Sequence, residues 1–254
     1  MAFVGSLVGL ERVLVPLIGE KQFRLTSKTA IVSFIITFGV VKALCSFFAG
    51  RISESWGRKR LLVLGWIIGL PVPFMIIFAN HWFWFDIANA FLGINQALTW
   101  SMTVIMKIDL VGPKRRGLAM GLNESAGYLA VGITAWLTGE IAARYSLRSQ
   151  PFYLGIGVAA AGFLISLFLV RETLDYARYE AQLQGASKNP AGADTGGNDN
   201  TEKRSLKDVF SLTTWKERAL SSCSQAGLVN NLNDGMSWGI YPLFFLIEGV
   251  RRRM

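Results

Sequence analysis

Apolar residues dominate this chain in long runs separated by short polar breaks. Seven runs approach or exceed the length a bilayer core requires, about 20 residues for a helix. They cover about 2–19, 28–50, 61–79, 82–107, 117–139, 151–170 and 219–247. The third is the cleanest, without a charge from Leu61 to Ala79. The pattern predicts six membrane helices, a polar stretch and a seventh helix. Pro71 and Pro73 predict a bend in the third helix, and Pro16 one in the first. Gly65-x-x-x-Gly69 and Gly117-x-x-x-Gly121 have the spacing that lets helix backbones approach closely.

The polar stretch has its own pattern. Residues 171–182 read as a continuation of the sixth helix into water, and 184–204, rich in Gly, Ala, Asn and Asp, as disordered. Ser205-Leu-Lys-Asp208 reads as a helix cap. Leu206, Val209, Phe210 and Trp215 then form the apolar face of a short interfacial helix, or the segment is a plain solvated linker. The expected organisation is a bundle over 1–170, a cytoplasmic linker over 171–218, a seventh helix over 219–248, and a truncated or frameshifted tail over 249–254.

Composition agrees: 52% of the residues are hydrophobic, 17% are charged, and mean hydropathy is +0.37. The net charge of +9 suggests nucleic acid until its distribution is read. The cations cluster in alternate breaks, at Arg51 with Arg58, Lys59 and Arg60, at Lys114, Arg115 and Arg116, and in 171–218. Only Asn80 and His81 lie between the third and fourth runs. This is the positive-inside bias, with Lys21, Arg24 and Lys28 in the first break as a mild exception. It predicts a multi-pass protein of the inner or plasma membrane with a cytoplasmic N-terminus, and no nucleic-acid partner. Cys45 and Cys223 make no disulfide framework. A lone His81, no Cys/His cluster and no phosphate-binding loop leave no metal site, no cofactor and no enzyme signature.

Ionisable groups within membrane helices mark function by default. Glu11, Arg12, Lys42, Glu124 and Asp234 are such groups. On the fourth helix Asn95, Thr99, Thr103 and Lys107 recur every four residues on one face, with Gln96 and Trp100 beside it. On the seventh, Asn231, Asp234 and Trp238 share a face. Such stripes need water or polar neighbours. They line a solute path, or they bond helix to helix.

The break Gly50-Arg-Ile-Ser-Glu-Ser-Trp-Gly-Arg-Lys59 holds the most specific pattern. G-x-x-x-[DE]-x-x-G-R-[KR] between apolar helices resembles the signature loop of the major facilitator superfamily. Glu54 stands where Asp is usual, and Ser55 where a basic residue is common. Arg116-Gly-Leu-Ala-Met-Gly121 resembles the family's start of helix five. The resemblance implies an all-α membrane fold, a six-helix N-terminal bundle plus the first helix of a second one, and a truncated chain.

It also implies a gate of Gly50, Glu54, Gly57, Arg58, Lys59 and Asp109. The loop acid, Glu54, caps the third helix, and Arg58 bonds Asp109 at the inner end of the fourth. The function implied is secondary active transport of a small solute, with protons as the coupling ion and lipid as the surroundings. The drug-exporter motifs are missing: Gly93 stands where those proteins carry Arg, and Gly121–Gly127 holds no Pro. The alternative is a non-transporting membrane fragment or interaction subunit, which needs a separate second-half polypeptide or self-association.

Overall fold

A computed structural model describes residues 1–188 and 205–248. It divides into two units, Met1–Leu183 and Gln184–Met254. The described residues form helices and connecting turns, with no strand among them. The fold is that of an all-α membrane protein.

The first unit opens with α1 (Ala2–Lys21), a single turn α2 (Lys28–Ile31), and α3 (Ser33–Trp56). The second apolar run is therefore broken at Val32, after Ser27 has capped α2 by accepting from the Ala30 N–H. The third run is split into α4 (Arg58–Gly69) and α5 (Val72–Phe78). Pro71, the N-cap of α5, and Pro73, in its first turn, explain the split, since proline lacks the N–H that continues a helix. Then come α6 (Phe83–Val111), α7 (Arg116–Arg144), α8 (Ser149–Phe168) and α9 (Leu174–Lys188). The sixth helix does not run on through 171–182 as expected. It stops at Phe168, and the chain restarts at Leu174 as α9. The first unit thus takes in part of the stretch read as linker.

Among the described residues, four segments are long and apolar enough to cross a membrane: Ala2–Lys21, Ser33–Trp56, Arg58–Phe78 and Ser149–Phe168. Helices α6 and α7 have 29 residues each. Each is therefore about 43 Å long, against a hydrocarbon core of about 30 Å. They are less apolar because polar side chains sit inside the bundle: Asn89, Asn95, Gln96 and Thr99 on α6, and Asn123, Thr134 and Thr138 on α7.

Helix α1 is the central element. Val4, Leu7, Leu10, Leu14 and Ile18 are all within 2% of complete burial. It packs chiefly on α7, while α6 packs chiefly on α3 and α4. The α1–α7 contact is backbone to backbone. A Cβ at Gly5 would lie 2.2 Å from the Gly127 carbonyl oxygen, and one at Gly9 would lie 2.5 Å from that of Val131. Gly65 and Gly69 likewise admit Thr99 and Asn95 of α6. Gly117 and Gly121, which share the spacing, face open space.

One end of the bundle is closed by aromatics: Trp82 stacks on Phe85, and Phe23 meets both edge-on. Beside them the Ser33 hydroxyl accepts from Trp82 and donates to Asp86.

The second unit holds α10 (Leu206–Ser211), a π-helical turn over Leu212–Lys216, and α11 (Arg218–Glu248). Ser205 caps α10 as its sequence indicated, accepting from the Lys207 N–H at 3.4 Å. The helix is shorter than the run Leu206–Trp215, and Val209, Phe210 and Trp215 are exposed. Of the segment expected to be disordered, 184–188 is helical and 189–204 lies outside the described residues, as does the tail 249–254.

Candidate functional site

The signature loop is a one-residue hinge between two helices. Gly57 ends α3 and precedes α4 with φ +93°, a backbone conformation that favours glycine. A side chain there would also collide with Glu172, whose Oε2 lies 2.5 Å from the position of a Cβ. The turn exposes the N–H groups that begin α4, where the helix dipole favours an anion.

Glu172 supplies that anion. Its carboxylate accepts from the N–H of Arg58 at 2.9 Å and of Lys59 at 3.1 Å. It also accepts from its own segment, the N–H of Thr173 at 2.9 Å and of Leu174 at 3.1 Å. Burial pushes its pKa up, but these backbone donors outweigh burial and hold it below the usual value of 4.5. The cap implied for Glu54 is thus made by a residue more than a hundred positions away. Glu54 lies exposed on the last turn of α3, N-terminal to the hinge, and Glu172 already holds the first N–H groups of α4.

The Arg58 side chain turns inward and is 8% exposed. Its Nε lies 3.3 Å from Asp109 Oδ2, and Nη1 donates to Ser53 Oγ at 3.2 Å. Asp109 accepts a second bond from Thr173 Oγ1 at 2.8 Å. One network therefore joins the end of α3, the start of α4, the end of α6 and the α8–α9 connection. Arg116, at the start of α7, adds a tie by donating to both Glu180 oxygens on α9 at 2.9 Å. Gly50 contributes its carbonyl, which accepts from Ser53 Oγ at 2.6 Å. Lys59 is half-buried.

Deeper in the bundle, Glu11 is 3% exposed and accepts from Asn89 Nδ2 at 2.8 Å. Asn89 is fixed in turn by its bond to the Phe85 carbonyl. Arg12 is half-buried beside it. The α6 stripe divides between two surroundings. Asn95, Gln96 and Thr99 are fully buried. Asn95 donates to the Gly65 carbonyl at 2.9 Å, Gln96 to that of Val4 at 2.9 Å, and Thr99 to that of Asn95 at 2.7 Å. These three bond within the bundle.

Trp100, Thr103 and Lys107 are half-buried nearer one end of α6. Trp100 Nε1 donates to Glu124 Oε1 at 3.1 Å, Asn123 Nδ2 donates to the same oxygen at 3.0 Å, and Lys107 bonds Asn123. The Thr103 hydroxyl bonds the Trp100 carbonyl and the Met1 sulfur. The Lys42 ammonium lies 5.5 Å from the Trp100 ring centre and 5.6 Å from that of Phe38, within cation–π range. Tyr128 meets Trp100 edge-on. Helices α3, α6 and α7 thereby bring Lys42, Trp100, Thr103 and Glu124 into one corner.

In the second unit, Asn231 donates to the Gly227 carbonyl within α11 at 2.9 Å. Asp234 is half-buried on the same helix. No group of three or more His, Cys, Asp or Glu suited to a metal occurs among the described residues.

Glu172, Thr173, Ser53, Asn89 and Asn123 complete these networks and were not read as site residues. Each had a signal. Arg171-Glu-Thr173 interrupts an apolar helix with a capping residue, and Asn89 and Asn123 are polar positions within membrane runs.

The chain matches the family model described as the Major Facilitator Superfamily over residues 2–247. It is 28% identical over 197 residues to a probable 4-methylmuconolactone transporter of Cupriavidus pinatubonensis, covering 74% of this chain and 41% of that protein. It is 25% identical to multidrug resistance protein 2 of Bacillus subtilis, with 55% and 34% covered. An uncharacterized MFS-type transporter of Methanocaldococcus jannaschii is 25% identical, with 83% and 48% covered. The chain spans less than half the length of these curated relatives.

Proposed function

The chain belongs to the major facilitator superfamily, a family of transporters rather than enzymes, and from that premise we propose that it forms the first bundle, and the opening helix of the second, of a proton-coupled secondary transporter for a small solute. The observation that carries this reading is the buried Arg58–Asp109 pair and the cap that Glu172 places beside it. A charge-assisted pair at a nearly dry junction has two discrete states, made and broken, which is what a gate needs. In this reading the pair latches the cytoplasmic side of an alternating-access carrier. The membrane is the cell membrane and the N-terminus is cytoplasmic, on the strength of the cation distribution.

Glu11 is the first candidate proton carrier. It is a buried carboxyl held by one neutral amide, with no salt bridge to it among the described residues. Glu124 and Asp234 are further candidates, and Arg12 tunes Glu11 from the same helix. Lys42 and Trp100 form the solute corner, with Thr103 and Glu124 at its side, and Asn231 is a further candidate for the solute path. A cation over an aromatic face suits a planar organic anion, and the muconolactone of the relative's name is the first compound to try. Asn95, Gln96 and Thr99 keep α6 in register behind that corner.

A second reading is favoured by the exposure of α3, where only 11% of the span is buried. The chain is then a non-transporting fragment or subunit that needs a second bundle, or a second copy, to cover its face. Proteoliposomes under a pH gradient separate the two. With a second bundle coexpressed, 4-methylmuconolactone should accumulate, and Glu11→Gln should abolish accumulation while leaving exchange down a solute gradient. Normal accumulation by Glu11→Gln would remove Glu11 from the proton path. The chain alone should give no saturable flux.

A further inference from the structure

Two adjoining grooves mark one end of the first unit. The larger, about 600 Å³, runs along α4 and α8 over Val63, Leu64, Ile67 and Leu167, all apolar. The smaller, about 320 Å³, lies between the α3–α4 hinge and the start of α9, and charged side chains, Glu172, Asp175 and Arg178 among them, make up much of its wall. The two share Trp56, Lys59 and Arg60. A ligand that fills both must be apolar at one end and polar at the other.

The sign of the polar end follows from charge. Glu172 spends its carboxylate on backbone N–H groups, and Asp175 lies 3.7 Å from Arg178 as an ion pair. Lys59 and Arg60 have no salt-bridge partner among the described residues. The shared rim therefore presents two cations whose local acids are already engaged. Trp56, 53% exposed at the same level, has the amphipathic ring that settles at the boundary between headgroups and hydrocarbon. Lys and Arg there lay their stems on apolar surface and hold their charges at the polar edge.

We propose that this double groove binds one anionic glycerophospholipid, with an acyl chain along α4 and α8 and its phosphate on Lys59 and Arg60. The site faces the surrounding lipid, apart from the solute corner of α3, α6 and α7, and stands on the chain being a membrane protein rather than on its solute or coupling ion. A lipid held there rests against the hinge that Glu172 caps.

Native mass spectrometry of the full chain in detergent tests the assignment, with phosphatidylglycerol, phosphatidylcholine and soluble glycerol 3-phosphate as probes. Phosphatidylglycerol should be retained about tenfold more tightly than phosphatidylcholine, from two cations near an anionic headgroup. Glycerol 3-phosphate should not be retained. The double variant Lys59→Gln, Arg60→Gln should erase the preference. Ile67→Trp should weaken phosphatidylglycerol by filling the apolar groove with both cations intact.

Equal retention of the two lipids overturns the proposal, as does unchanged binding by Ile67→Trp. Binding of glycerol 3-phosphate as tight as that of the lipid would make this a phosphate site instead. Phosphatidylglycerol with a photoreactive acyl chain gives an answer without any variant. The label should concentrate on 63–67 and Leu167, and even labelling of α3 would overturn the proposal.

Discussion

Glu172 holds two chain segments with one carboxylate, and its ionisation is therefore tied to stability. Its pKa in the folded chain lies below the usual 4.5, so folding favours the ionised form. The stabilisation is complete above about pH 4.5 and is lost as the pH falls through the lowered value. Glu172→Ala should cost about 1–2 kcal/mol at neutral pH, as the loss of a helix cap does. Thermal melts in detergent from pH 7 downward should show wild type and variant converging in acid. A gap that stays constant into strong acid would mean that packing, and not charge, makes the contact.

At this scale the sequence is legible where the chemistry is local. The hinge spacing draws attention to Gly57 and Arg58, and in the structure the Arg58 side chain lies 3.3 Å from Asp109 at the end of α6. Glu172 escapes because no periodicity links it to position 58. Glu54 is the only acid within the loop and so attracts the role of cap.

Helix against helix, the close approaches are made by glycine, and identical spacings behave differently. Gly5 and Gly9 put α1 on the backbone of α7, so Gly5→Leu should force the pair apart and destabilise the bundle by about 2–3 kcal/mol. Gly117→Ala and Gly121→Ala meet open space. They should be neutral or stabilising by about 0.5–1 kcal/mol, because alanine loses less backbone freedom in a helix. Unfolding of the purified variants compares all three, and a Gly117→Ala loss as large as that of Gly5→Leu would contradict the packing.

The spacing shows that a helix can be approached, not which face meets a partner. That depends on neighbours far away in sequence, and so the Gly5–Gly9 pair was not singled out. The apolar runs placed the helices because hydrocarbon imposes a length. They concealed the break at Val32, where Ser27 starts a separate turn, and the restart at Leu174, where α9 is too polar to count as a run.

In the first unit the ion pairs that join one helix to another gather at one end. Arg58 meets Asp109 and Arg116 meets Glu180 there, while the Trp82 aromatic cluster closes the other end. Single cysteines at Trp56 and Gly112, with Cys45 and Cys223 replaced, should resist an impermeant thiol reagent in intact cells. One at Asn80 should react. Labelling of Gly112→Cys from outside would invert the orientation. The overall plan was the most legible level, since seven apolar runs and alternating charge constrain it together.

The bond from the Arg58 N–H to Glu172 also sets a timetable. It spans 114 residues of chain. At 5–20 residues per second a ribosome needs roughly 6–23 s to add that length. Throughout that interval the hinge has been made and its acid has not. The nascent bundle thus passes through a stage in which α3 and α4 are already in the membrane with their junction unfastened, and only the emergence of the segment after α8 closes it.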